Sequence, residues 1–325
     1  MGQPTRQYHL TGLDGQLDVA GVKKEIDPVN RILISGASGP IGTALLASFS
    51  ALGEQIVRLV RGRAQNAAQV SWDPLAPVPS PSVSGFDAVV HLAGESVVGR
   101  WTEEKKKAIR ESRVQGTRNL ATALAQTEVK PRVLVCASAI GFYGNRGDEL
   151  LSEESPAGQG FLPEVCREWE NAGQIAASAG IRTVNVRIGV VLSPKGGALE
   201  KMLTPFKLGL GGRIGSGQQW FSWIHVDDIV GAIQHAIHTE SLAGPVNLVA
   251  PNAVRNVEFT KVLASILGRP AFFPVPEFAL RLAFGKPAAE EMLLASQHVQ
   301  PGKLGPSGYK FRFRDLRPAL ENLLQ

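Results

Sequence analysis

A chain of 325 residues, 44% hydrophobic and 19% charged, holds enough apolar material for one large α/β domain or two smaller lobes with a buried core. A net charge of +5 over that length argues against a nucleic-acid binder, and no apolar run reaches the roughly 18 residues of a membrane helix. Its two cysteines, Cys136 and Cys166, form no Cys-x-x-Cys and supply neither a disulfide framework nor a zinc site. The N-terminus, MGQPTRQYHLTGLDG, lacks the apolar segment of a secretory signal, so a cytoplasmic protein is expected.

Residues 1–30 are polar, weakly patterned, and read as an N-terminal extension, either an arm or an extra strand. The pattern then becomes regular. RILIS (31–35) is a buried strand, Pro40–Leu52 a helix, QIVRLV (55–60) a second strand and Gln69–Trp72 a short third. Residues 74–85, rich in Pro and Ser, are loop. FDAVVHLAG (86–94) is a fourth strand running into a turn. Trp101–Ala125 is a long helix, with Thr102 as its cap, Glu103 and Glu104 meeting the dipole, and Lys105, Lys106 and Lys107 facing water. RVLVCAS (132–138) is a fifth strand, Phe161–Ala179 a helix and RTVNVRIG (182–189) a sixth strand.

Strand alternating with helix at this spacing gives βαβ units with right-handed crossovers, hence an α/β fold with a Rossmann-type doubly wound parallel sheet. The dinucleotide-binding part is expected over residues 31–190. Beyond it come a glycine-rich loop, GLGGRIGSGQQ (209–219), and prolines at 270, 274, 276, 287, 301 and 306. Residues 191–325 read as a smaller C-terminal substrate lobe, interleaved with the core, over the sheet's carboxyl edge.

SGASGPIGTAL joins the first strand to the first helix. Gly36, Gly39 and Gly42, with Ser38 and Ile41 between them, form a turn tight enough for backbone N–H groups to reach a pyrophosphate at the helix N-terminus. The second strand ends in LVRGRA rather than in an acid. Arg61 and Arg63 there suit a 2′-phosphate, so NADP is expected over NAD; two solvent-facing arginines are the plain alternative. Asp73, past the third strand, is placed for an adenine amino group. In Leu92-Ala93-Gly94-Glu95, past the fourth, the small residues can pass under the pyrophosphate and the carboxylate can accept from a ribose hydroxyl. Turn acids facing solvent would look the same.

GASGPIG, HLAGE, ASAIGFYG, VRIGVVL and WIHVDD fall in the order seen in extended short-chain dehydrogenase/reductases, and the chain resembles their nucleoside-diphosphate-sugar epimerase type. GLGGRIGSGQQWFSWIHVDD, VRNVEF and FRFRDL are similar to one subgroup with an additional C-terminal conserved segment. The resemblance covers residues 31–322 and implies a Rossmann core, an NADP site and a substrate lobe. With the turn residues above, the candidate cofactor set is Gly36, Ser38, Gly39, Ile41, Gly42, Val60, Arg61, Asp73, Leu92, Ala93, Gly94, Glu95, Ser138 and Val190.

The resemblance also implies a Ser/Thr, a Tyr and a Lys, because a phenol is a poor base at neutral pH unless a cation stabilises its anion. Here the pattern departs. Aligning on Glu170 puts Cys166 at the lysine and Leu162 at the tyrosine, and no Tyr or Lys occurs between Pro156 and Gly180. The serine position falls on Ser138 or Ala139. Tyr143 is expected on the pocket wall, Cys166 on an apolar helix face, and His91 inside a strand. His225, Asp227 and Asp228 look metal-like but fit a strand histidine followed by aspartate caps for a helix over 229–238, and no metal is expected. No GxSxG elbow supports a hydrolase. Arg213 and Trp220 are candidate contacts for a phosphate-bearing or flat substrate; an ordinary surface arginine and a core tryptophan fit as well. The expected function is an NADP(H)-binding epimerase or oxidoreductase acting on a nucleotide-sugar or carbonyl compound. Its rival is a non-catalytic NADPH-binding sensor that works through a protein partner.

Overall fold

The computed structural model describes residues 29–324, so the expectations for residues 1–28 lie outside the described residues. Seven parallel strands form the central sheet: β1 (Arg31–Ser35), β2 (Gln55–Arg61), β3 (Gln69–Trp72), β4 (Ala88–His91), β5 (Val133–Ala139), β6 (Arg182–Ile188) and β7 (Gly244–Leu248). Their order is β7-β6-β5-β4-β1-β2-β3. The chain winds outward from β1 through β2 to β3, then returns to the other side of β1 and winds through β4 to β7. This reversal between β1 and β4 opens a crevice at the strands' carboxyl ends, where open α/β sheets bind ligands.

Alternation along β1 shows how the sheet buries both faces. Ile32 and Ile34 pack with Leu45 and Phe49 of α1 (Pro40–Ala51), and Leu33 packs on the other face with Leu120 and Leu124 of α2 (Glu103–Ala125) and Trp169 of α3 (Phe161–Ser178). All three β1 side chains have zero exposure. Such two-sided burial is why parallel strands read as unbroken apolar runs.

The chain past residue 190 serves both the sheet and the lobe. It supplies β7 and also α5 (Val226–His238), whose Ile229, Val230 and Ile233 join the α1 face of the core. The lobe itself is built on α4 (Gly197–Lys207), α6 (Asn256–Leu267), α7 (Glu277–Phe284) and α8 (Leu316–Leu324), with Leu203, Phe206, Trp223, Leu263 and Leu320 in one apolar cluster. Three two-stranded pairs tie it down, Val190–Leu192 with Trp223–His225, Trp220–Phe221 with Val254–Arg255, and Leu150–Leu151 with His298–Val299.

WIHVDD corrects its sequence expectation. The helix begins at Val226, three residues early, and its cap is His225, whose Nδ1 accepts from the Asp227 N–H at 3.0 Å. Asp228, in the first turn, accepts from the backbone N–H groups of Arg312 (2.8 Å) and Phe313 (2.9 Å) and from the Tyr309 hydroxyl (3.1 Å). It fastens the C-terminal segment to α5. Among the described residues no helix is long and apolar enough to cross a membrane.

Candidate cofactor cleft and active site

The three glycines of the β1–α1 turn play different parts. Gly36 has φ of +70°, and a Cβ there would lie 2.7 Å from the Leu92 carbonyl carbon. A Cβ at Gly42 would run into the Gly36 carbonyl oxygen and lie 2.6 Å from Ala37 Cα. These two are demanded by the turn itself. Gly39 is not: its φ is −75°, and the nearest protein atom to its Cβ position is 3.5 Å away. Its missing side chain leaves open space at the helix N-terminus. That terminus has no side-chain cap, no acid in its first turn, and Pro40 at its start. Its outward N–H groups suit an anion.

Across the crevice, the Ser35 hydroxyl accepts from the N–H groups of Leu92 (3.2 Å) and Ala93 (3.3 Å), fixing the turn after β4. His91 lies beneath it with zero exposure, between Ser35 Oγ at 2.6 Å and Thr117 Oγ1 at 3.0 Å. Burial pulls its pKa down to about 4, so it is a neutral core histidine.

A cleft of about 430 Å³ opens beside this turn, lined by Arg61, Trp72, Asp73, Pro74, Glu95 and Ser112. Arg61, the last residue of β2, is exposed, and its side chain forms no hydrogen bond or ion pair among the described residues. Asp73 holds the Leu75 N–H at 2.9 Å. Glu95 pairs with Lys105 at 2.7 Å, which holds its carboxyl below the ordinary range with help from Arg61 and Arg113. Lys105 therefore does not face water as the sequence suggested. A second cleft of similar volume, around Gln174, Arg182 and Gly244, lies by the amino ends of β6 and β7; there Arg182 is spent on the carbonyls of Ala236, Ile237 and Leu242.

The end of β5 meets α3 where the proton-transfer groups were sought. A Cβ at Gly141 would lie 3.4 Å from Leu162 Cβ and 3.9 Å from Cys166 Sγ, so these two residues do face the turn. Neither is a base there at neutral pH. Leu162 has no ionisable group, and burial pushes the Cys166 thiol up to about 12, with the Glu170 charge adding to it.

Two expected site residues turn inward here. Ser138 is 2% exposed, its hydroxyl donating to Glu170 Oε1 at 2.7 Å, so that hydroxyl is spent inside the protein. Tyr143 is no pocket wall: it has zero exposure, donates to Asn247 Oδ1 at 2.7 Å and accepts from Arg187 Nη1 at 3.0 Å. Burial raises its pKa against the pull of the Arg187 charge. Glu170 and Arg187 form a bidentate pair, both bonds 2.8 Å, that binds these groups into one buried network. The chain thus has a tyrosine beside a cation, but sealed inside the protein. Sequence gave no sign of it, because its members lie far apart in the chain.

In the lobe, Arg213 braces its own loop through the carbonyls of Gly215 (3.1 Å) and Ser216 (2.6 Å). Trp220 is stacked on His298 at 3.8 Å, lies under Arg255, and donates to Asp148 at 3.1 Å. Arg255 pairs with Asp148 at 2.8 Å and bonds the Gln218 carbonyl. Arg213 is engaged through Nη1 alone and stays exposed, while the Trp220 ring and its N–H are held within the lobe. Val190, in the candidate set, donates its N–H to Ser222 O at 2.9 Å and stands part-buried past β6.

A doubly wound sheet with a glycine turn at its switch point and an interleaved C-terminal lobe is the architecture of an extended short-chain dehydrogenase/reductase. The chain belongs to the NAD dependent epimerase/dehydratase family, whose sequence profile matches residues 32–248; a domain of unknown function, DUF1731, matches residues 275–323. The FRFRDL segment falls in the second match, and VRNVEF falls between the two. Epimerase family protein Mb2239 of Mycobacterium bovis is 40% identical over 89% of this chain and 96% of its own. The crystal structure of human epimerase family protein SDR39U1 (isoform2) with NADPH is similar at a TM-score of 0.83 and 35% identity, covering 90% of this chain and 98% of that one. The nucleoside-diphosphate sugar epimerase from Corynebacterium glutamicum is similar at a TM-score of 0.76 and 38% identity, over 91% of this chain and 58% of that one.

Proposed function

We propose that the chain binds NADPH in the cleft beside Arg61 and uses it to reduce a carbonyl group on a small molecule, without a tyrosine–lysine pair. The observation that carries the reading is the unpaired guanidinium at the end of β2, in the same cleft as Asp73 and next to an uncapped helix with open space at Gly39. Arg61 would hold the 2′-phosphate, the α1 N-terminus the pyrophosphate, and the Leu92–Glu95 turn the floor beneath it. The human relative crystallised with NADPH supports the phosphorylated form. When bound, the cofactor supplies the hydride; the chain binds, orients and excludes water. With Ser138, Tyr143 and Cys166 sealed, water is the proton source for the product oxygen. That same sealing favours a second reading, a cofactor-binding protein that has given up turnover.

Replacing Arg61 with Ala removes a charge-assisted contact worth about 1.5–3 kcal/mol, so NADPH affinity should fall roughly 10- to 150-fold. NADH affinity should hardly change. Equal losses for both would sink the assignment. Cofactor oxidation with any member of a carbonyl and nucleotide-sugar panel supports the reductase; tight binding without product across the panel supports the second reading.

A further inference from the structure

Arg113 is a cation whose charge reaches Cys166, the place the family's lysine would occupy. It rises from α2 and lies against the turn after β4: a Cβ at Gly94 would be 3.2 Å from its guanidinium carbon. On its other side, that carbon stands 5.1 Å from the Trp169 ring, three residues along α3 from Cys166. Its charge acts on the Cys166 site. The guanidinium thus sits in the wall between cofactor turn and helix α3.

Only part of it is used. Nη1 donates to the carbonyls of Glu95 (2.8 Å) and Ile109 (3.2 Å). Nε and Nη2 hydrogen-bond to no described residue, and among the described residues the side chain forms no ion pair, since the Glu95 carboxylate is turned to Lys105. Burial lowers its pKa from the ordinary arginine value, and the nearby Glu95 charge offsets only part of that desolvation cost. The buried guanidinium of Arg187, by contrast, is spent on Glu170, Tyr143 and Glu153. A planar fork with three free N–H groups matches a carboxylate in two-point contact.

We propose that the free edge of Arg113 binds a carboxylate of the substrate, so that the compound reduced is an oxo acid. The proposal rests on the reductase reading above. In the reaction the hydride of NADPH forms the new C–H bond, the carbonyl π pair goes to oxygen, and water protonates that oxygen. NADP⁺, a hydroxy acid and hydroxide result. Arg113 fixes the acid end of the substrate and is a specificity residue.

The test is calorimetric titration of NADPH-saturated protein with pyruvate, 2-oxoglutarate and benzoylformate, each beside its methyl ester. At least one acid should bind saturably and its ester at least tenfold more weakly. Arg113→Gln should lose at least tenfold for the acid and keep the ester's weak binding. Arg113→Lys, which keeps the charge but not the fork, should lie between, and it replaces the glutamine variant if that one does not fold. Acid and ester binding alike, no acid binding at all, or acid affinity unchanged in both variants would each overturn the proposal. A tenfold loss of NADPH affinity with NADH affinity unchanged in Arg113→Gln would overturn it too, by giving the fork to the 2′-phosphate. If the wild-type protein binds no NADPH, the reductase reading falls by itself, and the same titration of the cofactor-free protein still decides for or against the fork.

Discussion

Removing the Glu170 carboxylate should cost this fold much of its stability. Its oxygens accept from Arg187 Nε and Nη2, both at 2.8 Å, and from Ser138 Oγ at 2.7 Å. The partner side chains are 4% and 11% exposed. Glu170→Ala leaves the Arg187 charge buried with the Tyr143 hydroxyl, the Glu153 carbonyl and the Phe142 ring as its surroundings. Breaking such a pair from one side costs about 3–5 kcal/mol, against a total stability of roughly 5–15 kcal/mol. Urea denaturation followed by tryptophan fluorescence should therefore show a large fall in midpoint at unchanged slope. Replacing both partners, as in Glu170→Leu with Arg187→Met, should recover much of the loss because no charge is stranded. A loss below about 1 kcal/mol for Glu170→Ala would refute the view that this network is a structural brace. In the same series Ser138→Ala should cost about 1–2 kcal/mol and leave NADPH affinity untouched.

Gly39→Ala and Gly42→Ala should part company. The first should leave stability within about 0.5 kcal/mol and weaken NADPH binding, while the second should damage both, as read by melting and fluorescence titration. His91 is held near pKa 4 against 6.5 when unfolded, so the unfolded chain binds the extra proton. Stability is then full above pH 6.5 and falls as pH drops toward 4, by about 3 kcal/mol at most, and melting scans of His91→Gln should lose that part of the slope. Cys136 and Cys166, both pushed up to about 12 by burial, should resist iodoacetamide at pH 8 in the native protein and react together once urea unfolds it; fast native labelling of Cys166 would reopen it as a proton carrier.

Most of the sheet was legible because its strands are buried on both faces and bounded by glycine turns. β1 and β3 fall where the sequence put them, and β4 is shorter because Phe86 and Asp87 lead into it. β7 was missed: GPVNL is short, carries a proline and a buried asparagine, and lies beyond the break in texture. The cofactor turn was readable since its demands are local, a positive φ at Gly36 and close packing at Gly42. The inward turn of Ser138 and Tyr143 was not, because it depends on Glu170, Arg187 and Asn247, brought in from other elements. Arg113 carries no motif at all; only the placement of α2 against Gly94 and Trp169 brings it to the site.

The late arrival of β7 has a consequence for the nascent chain. Its five residues pair with Val184–Ile188, and α5, made just before it, covers the same end of the sheet. Until both emerge, a ribosome-bound chain presents β6 as an open edge. The stretch from Ile188 to Leu248 takes roughly 3–12 s to synthesise at ordinary elongation rates. During that interval the edge is a template for pairing with another chain. A fragment ending near residue 190 would keep that exposure permanently, so cutting the protein at the apparent boundary should yield aggregate rather than a free nucleotide-binding half.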